Sequence, residues 1–227
     1  MPAASGPRQL ALALNHSESF AREDFLQGPS NAAALALIAR WPDWPSRVMA
    51  LIGPQGSGKS HLAAIWAEET GARFISMRNL DGEQLPAALA TGALVAEDFS
   101  PGAFDEAALF HLLNLAQQEG AYVLLTARTP PAGWTVALAD LASRLRAIPA
   151  VALSAPDDRL LRAVIVKLFA DRQLAVDENL IAYLVARMER SFPAARTAVD
   201  RLDREAMRQQ RAVNRALAAE LYRDLER

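Results

Sequence analysis

The chain of 227 residues contains no cysteine. That absence excludes disulfides, thiolate catalysis and Cys-ligated zinc. Histidine is scarce too: His16, His61 and His111 are too scattered for a spacing-based metal motif. No apolar run approaches the roughly 18 residues needed to span a bilayer. The opening Met1-Pro2-Ala3-Ala4-Ser5-Gly6-Pro7 lacks a basic start followed by an apolar stretch, so no secretory signal is expected. Nor is there a strong charge of one sign. A net charge of -2 gives no global attraction for nucleic acid and leaves only a local basic patch for such a role. Trp41, Trp44, Trp66 and Trp134 lack interleaved basic residues and read as core or hinge packing, not as base-stacking platforms. What remains is a chain 52% hydrophobic, enough for a substantial core, and the expectation is a soluble cytoplasmic protein.

The most informative segment is Gly53-Pro54-Gln55-Gly56-Ser57-Gly58-Lys59-Ser60, set between the apolar run Val48 to Ile52 and a helical stretch beginning at His61. A Gly-rich turn that leaves a strand and opens a helix points backbone N–H groups and the positive helix end into one concavity, where phosphate oxygens fit. In that pattern Lys59 reaches the outer phosphates and the Ser60 hydroxyl holds Mg²⁺. The competing reading is a Gly-rich surface turn with a solvated lysine.

Along the rest of the chain, Gln9-Leu10-Ala11-Leu12-Ala13-Leu14 places Leu10, Leu12 and Leu14 on one side of an extended segment. A helix begins near Ser30 or Asn31, either of which can cap it, and stops before Pro42. Strands are expected near residues 48–52, 73–77, 93–97, 122–126 and 148–153, with helices after Lys59 and from about Phe104 to Glu119. Alternation of this kind implies a parallel sheet covered on both faces. After Pro156 the pattern turns continuously helical: Leu160, Leu161, Val164, Ile165 and Leu168 share one face. Asp177 and Asn214 are placed to cap later helices, and another runs from about Pro193 past Met207.

A second landmark is Leu94-Val95-Ala96-Glu97-Asp98, an apolar strand ending in two carboxylates. Any exposed strand end can carry acids. Downstream of a phosphate loop, Glu97 and Asp98 read as the metal-water holder and the water activator. His61 reads as a helix-packing residue and His111 as a partly exposed helix residue. Arg128 has two open readings, a contact to a neighbouring subunit or DNA and a solvated loop arginine.

These residues resemble the AAA+ ATPases of the bacterial replication initiator DnaA, and among them the short Hda-type proteins that inactivate the initiator. The resemblance covers nearly the whole chain. It implies a P-loop AAA+ three-layer α/β base with a parallel sheet over residues 21–155, an all-α lid over 156–227 and an extended N-terminal tail over 1–20. Phe25 to Asn31 resembles the segment that wraps adenine, with Phe25 and Asn31 as contacts. Gly58-Lys59-Ser60-His61-Leu62 is similar to the family's phosphate loop and following helix. Thr126 falls at the sensor-one strand end. Asp140-Leu141-Ala142-Ser143-Arg144-Leu145 resembles the box that carries an arginine finger, which puts that role on Arg144. Arg196 falls near the sensor-two arginine of the lid.

Two features resemble the regulator more than the initiator. The chain ends at Arg227, where the initiator continues into a DNA-reading helix-turn-helix, and Gln9 to Leu14 resembles a sliding-clamp-binding peptide. Alternate leucines can enter an apolar groove while the Gln9 amide makes directional hydrogen bonds; the other reading is an edge strand of the protein's own fold. Three positions depart from the family pattern. Glu97 stands where Asp is usual, Ala127 where a polar side chain is common, and Asp140 where a basic residue is common. They imply weak hydrolysis by the chain itself. The resulting expectation is an adaptor, holding ADP or ATP with Mg²⁺ at Ser60 and Glu97, that binds the clamp and directs Arg144 at ATP on the initiator; a homodimer is left open. An autonomous P-loop ATPase and a DNA-binding or helicase-loading accessory factor are the alternatives.

Overall fold

A computed structural model describes residues 20–79, 82–99 and 104–225; Gln9, Leu10, Leu12 and Leu14 lie outside them. The described residues divide into two compact units, Phe20–Leu160 and the residues from Leu161 onward. Among them no helix is long and apolar enough to cross a membrane.

The first unit is built on five parallel strands: β1 (Val48–Ile52), β2 (Arg73–Ser76), β3 (Ala93–Phe99), β4 (Tyr122–Ala127) and β5 (Ala150–Ala152). They lie in the order β2-β3-β4-β1-β5. Around them run α1 (Ala32–Ala39), α2 (Lys59–Thr70), α3 (Leu85–Leu89), α4 (Glu106–Gln118) and α5 (Ala139–Ala147). The central strands are apolar on both faces because both are covered, as parallel sheets require. Ala50, Leu94, Ala96, Val123 and Leu125 face one layer with Leu109 and Leu112 of α4 and Leu141 and Leu145 of α5. Their sequence neighbours Met49, Leu51, Val95 and Leu124 face the other, against Leu35 and Ile38 of α1 and Leu62 and Trp66 of α2. Trp66 is fully buried and stacks on Trp44 at 5.0 Å between centroids, while the Trp44 Nε1–H donates to the Leu37 carbonyl at 2.8 Å. Trp134 is likewise buried, stacked on Phe99 at 4.8 Å.

The strands expected near 48–52 and 122–126 form as β1 and β4, the latter one residue longer, and the last strand is shorter than expected. Two helices gave no sequence signal. α3 is five residues beginning with Leu-Pro, and α5 is short with a polar outer face. One expectation is corrected. Asn31 precedes α1 but its side chain does not cap the helix; it turns back, accepting from the Gly28 N–H at 2.9 Å and donating to the Leu26 carbonyl at 3.0 Å. With Asn31 only 1% exposed, those bonds satisfy a buried amide that would otherwise carry a desolvation cost.

The second unit consists of most of α6 (Asp158–Asp171) with α7 (Glu178–Arg187), α8 (Phe192–Gln209) and α9 (Arg215–Leu225). Its core gathers Leu161, Ile165, Phe169, Leu184, Val199 and Leu217. Asp177 and Asn214 act as the expected caps, accepting from Leu180 N at 2.8 Å and Leu217 N at 3.0 Å. Arg172 went unnoticed in the sequence; its side chain is nearly buried and pairs with Asp200 while donating to the Leu168 carbonyl at 2.8 Å.

Candidate phosphate-binding site

The site grows from the C-terminal edge of the sheet, where β1 runs straight into the Gly53–Ser60 turn and then α2. Gly53 is required by packing. A Cβ built there would stand 2.3 Å from the Leu153 carbonyl oxygen and 3.0 Å from Ser57 Oγ. The Gly53 N–H donates to the Ala127 carbonyl at 3.1 Å, which fastens the turn to the end of β4. Gly58 sits in the left-handed region at φ 97 immediately before α2, a conformation that glycine adopts without strain. The first helical bond at this end is Leu62 N–H to the Gly58 carbonyl at 3.1 Å. The amides of Lys59, Ser60 and His61 therefore open the helix with no helical carbonyl behind them, the arrangement that attracts anions. Pro54 and Gln55 are exposed, whereas Ser57 is 2% exposed and its buried Oγ lacks a hydrogen-bond partner among the described residues.

Lys59 lies half-buried over this turn, its ammonium donating to the carbonyls of Gly53 at 2.9 Å and Pro54 at 2.8 Å. Burial holds its pKa below the usual lysine range, the Arg128 charge lowers it further, and the Glu97 carboxylate partly offsets both. That coupling places Glu97, Arg128 and Lys59 in one electrostatic cluster. Strand alternation explains it. Ala93 and Val95 face the α2 layer, so Glu97, two residues on, extends toward the same layer. Likewise Thr126 follows Leu124 on β4 and is buried at 4% exposure. The β3–β4 register slips between Ala96 and Phe99, and this irregularity returns Phe99 to the opposite layer. Such bulges re-aim side chains beside sites. Among the described residues Glu97 Oε1, which is buried, has no hydrogen-bond partner and is an acceptor ready for a cation or an ordered water; Asp98 is the next residue on β3.

The segment from Phe25 to Asn31 is tied to the same edge. Phe25 is buried and meets the His61 ring edge-on at 5.2 Å, Phe20 meets it at 5.4 Å, and His61 Nε2 lies 3.1 Å from the Ala21 carbonyl. Ser154 N–H donates to the Ser30 carbonyl at 3.0 Å, and Leu153 N–H to the Ile52 carbonyl at 2.7 Å. His61 is thus a packing residue that joins this segment to the first turn of α2.

Arg144 stands apart on α5. Its guanidinium lies 5.2 Å above the Phe110 ring and makes a long 3.4 Å hydrogen bond to Gln117 Oε1. Among the described residues it has no carboxylate partner. The start of α5 is pinned by Glu106, whose carboxylate accepts from the N–H groups of Ala137 at 2.9 Å and Leu138 at 3.0 Å. Arg196 lies on α8 in the second unit, partly buried. The contact that sequence reasoning missed is Arg128 Nη2 donating to Gln55 Oε1 at 2.7 Å. The signal was the strand order, since Ile52 pairs with Ala127 and the residues after each must be neighbours.

No family model matches the chain. The replication initiator DnaA of Caulobacter vibrioides is 33% identical over 186 residues, covering 71% of this chain and 37% of that protein, so the chain spans just over a third of the relative's length. Domain III of DnaA from Thermotoga maritima superposes with a TM-score of 0.71 at 18% identity, over 90% of this chain and 96% of that one. AMPPCP-bound DnaA from Aquifex aeolicus gives 0.63 at 18% identity, over 80% and 64%. With five parallel strands flanked by helices, a Gly-rich turn between β1 and α2 and helices following the sheet, the described residues have an AAA+ fold like that of DnaA domain III, and the chain is similar in sequence to the initiator over 71% of its length.

Proposed function

We propose that this chain is a nucleotide-binding adaptor that engages a DNA-loaded sliding clamp through Gln9, Leu10, Leu12 and Leu14 and promotes hydrolysis of ATP held by the initiator, restraining chromosome replication. The observation that carries the partner-directed part is Arg144, a guanidinium resting on an aromatic ring with no carboxylate among the described residues to neutralise it. Its natural complement is an anion supplied from outside, and a γ-phosphate presented by a partner fits that chemistry.

For the chain's own nucleotide, the Gly53–Ser60 amides and Lys59 would cradle the phosphates, and Phe25 and Asn31 would border the adenine. Thr126 would stand at the γ-phosphate end and Arg196 would act from the helical lid. The buried orphan oxygen of Glu97 and the Ser60 hydroxyl suit Mg²⁺, which supplies charge neutralisation on the phosphate oxygens when bound. Asp98 would position water. The use of an adenine nucleotide is supported by the likeness to a DnaA that binds AMPPCP.

Calorimetric titration with ADP and with ATP tests the first half. Wild type should bind both, and Lys59→Ala should lose about 10- to 100-fold, the worth of a charge-assisted hydrogen bond to phosphate. Equal heats from the two proteins would remove the loop from the site. The partner half is tested by retention on immobilised, DNA-loaded clamp. The intact chain should be held and a Gln9→Ala, Leu10→Ala variant released; retention on bare single-stranded DNA instead would favour a loader or DNA-binding accessory role.

A further inference from the structure

Arg128 follows β4 and is exposed, yet it does not point idly into solvent. Its guanidinium donates to Gln55, a residue of the phosphate-binding turn itself. Among the described residues that neutral amide is its hydrogen-bonding partner, and no carboxylate pairs with it. On the same turn lies the Lys59 ammonium, half-buried and held by the Gly53 and Pro54 carbonyls, and burial and then the Arg128 charge lower its pKa. Two cations therefore sit on one turn, and the carboxylate that acts on Lys59 from the sheet is Glu97, whose buried Oε1 has no hydrogen-bond partner among the described residues. Like charges held together in a partly desolvated place are costly, and an anion seated between them relieves the cost. The planar fork of arginine is matched to phosphate oxygens, two at a time, in a way the point charge of lysine is not.

We propose that Arg128 is a second cation of the phosphate site, leaving Gln55 to grip the outermost phosphate of a bound nucleotide, so that this chain holds its nucleotide without depending on Mg²⁺ to neutralise the phosphate tail. The inference rests on the nucleotide reading given above, adds a residue to it and lifts its ion requirement. Gln55 is the rest position: its side chain is carried on the turn, so the guanidinium waits beside the place where the phosphates enter. Because Gln55 is neutral, releasing it costs one ordinary hydrogen bond, whereas the phosphate returns a charge-assisted one. The longer reach of the guanidinium favours the terminal group, so ATP should gain more from Arg128 than ADP does.

The test is titration of ADP and ATP, each in Mg²⁺ and in EDTA, against wild type, Arg128→Ala and Gln55→Ala, with thermal unfolding to show that each variant folds. Wild type should lose less than about threefold in affinity when EDTA replaces Mg²⁺. Arg128→Ala should lose about tenfold or more for ATP in EDTA, with a smaller loss for ADP, the size expected of one charge-assisted contact. Gln55→Ala should raise the preference for ATP over ADP above that of wild type, since it frees the guanidinium for the terminal phosphate. Arg128→Ala binding like wild type in EDTA, or losing the same factor for both nucleotides, overturns the proposal, as does a wild type that binds only with Mg²⁺. Failure of the nucleotide reading looks different: wild type would then bind neither nucleotide in Mg²⁺, and Lys59→Ala would behave identically.

Discussion

Arg144→Ala is expected to reduce stimulated hydrolysis of initiator-bound ATP by about 10³-fold or more, in line with the 10³ to 10⁵ by which an arginine finger acts in GTPase systems. The measurement is phosphate release from the ATP-loaded initiator with DNA-loaded clamp present. The substitution should leave the fold intact. Arg144 makes one ring contact and one long hydrogen bond, and such a contact at a partly exposed site is worth about 0.5–1 kcal/mol. The helix that carries it is fixed independently by the buried Leu141 and Leu145 and by Glu106. Binding of nucleotide and clamp should survive. Arg144→Lys should rescue poorly, because an ammonium cannot span two phosphate oxygens. Undiminished stimulation by Arg144→Ala would leave the residue as a surface group of α5 and remove the finger.

Gly53→Ala should have the second largest effect. Its added methyl would lie 2.3 Å from the Leu153 carbonyl oxygen, a backbone atom fixed by the Leu153 N–H bond to Ile52. Neither side can yield without moving a strand end. The turn would be displaced from the Ala127 carbonyl, and nucleotide affinity should fall by about 100-fold, two charge-assisted contacts' worth. Overpacking of this kind costs about 1–3 kcal/mol, so melting should drop by roughly 2–10 °C. Gly133 is the control. A Cβ there meets nothing within 4 Å, and Gly133→Ala should stay within about 0.5 kcal/mol of wild type. Comparable behaviour of the two variants would mean that the turn is softer than its packing implies.

The strand-turn-helix setting of Gly53 to Ser60 was legible because its signal is local: glycines, a lysine and a hydroxyl in fixed succession between an apolar run and a helical one. The sheet was legible for a related reason, since its central strands are short apolar runs bounded by turns. Asn31 was misread because an Asx side chain before a helix has two ways to satisfy itself, and the backbone at Gly28 and Leu26 outcompeted the helix amides. α3 and α5 were not legible, the first only five residues long and the second burying just Leu141 and Leu145 among its nine. Arg128 was left with two readings because its surroundings depend on which strand lies beside β1. That is a property of the fold and not of any window of sequence. The nearly buried Arg172, just past the end of α6, was missed likewise, its partner Asp200 lying 28 residues away on α8.

Glu106 gives the molecule a mechanical property. By holding the peptide groups of Ala137 and Leu138 from the first turn of α4, it yokes two helices that are far apart in sequence. Phe110 and Gln117 of the same α4 meet the guanidinium at the other end of α5. Whatever grips α4 from outside therefore also aims the side chain that α5 displays.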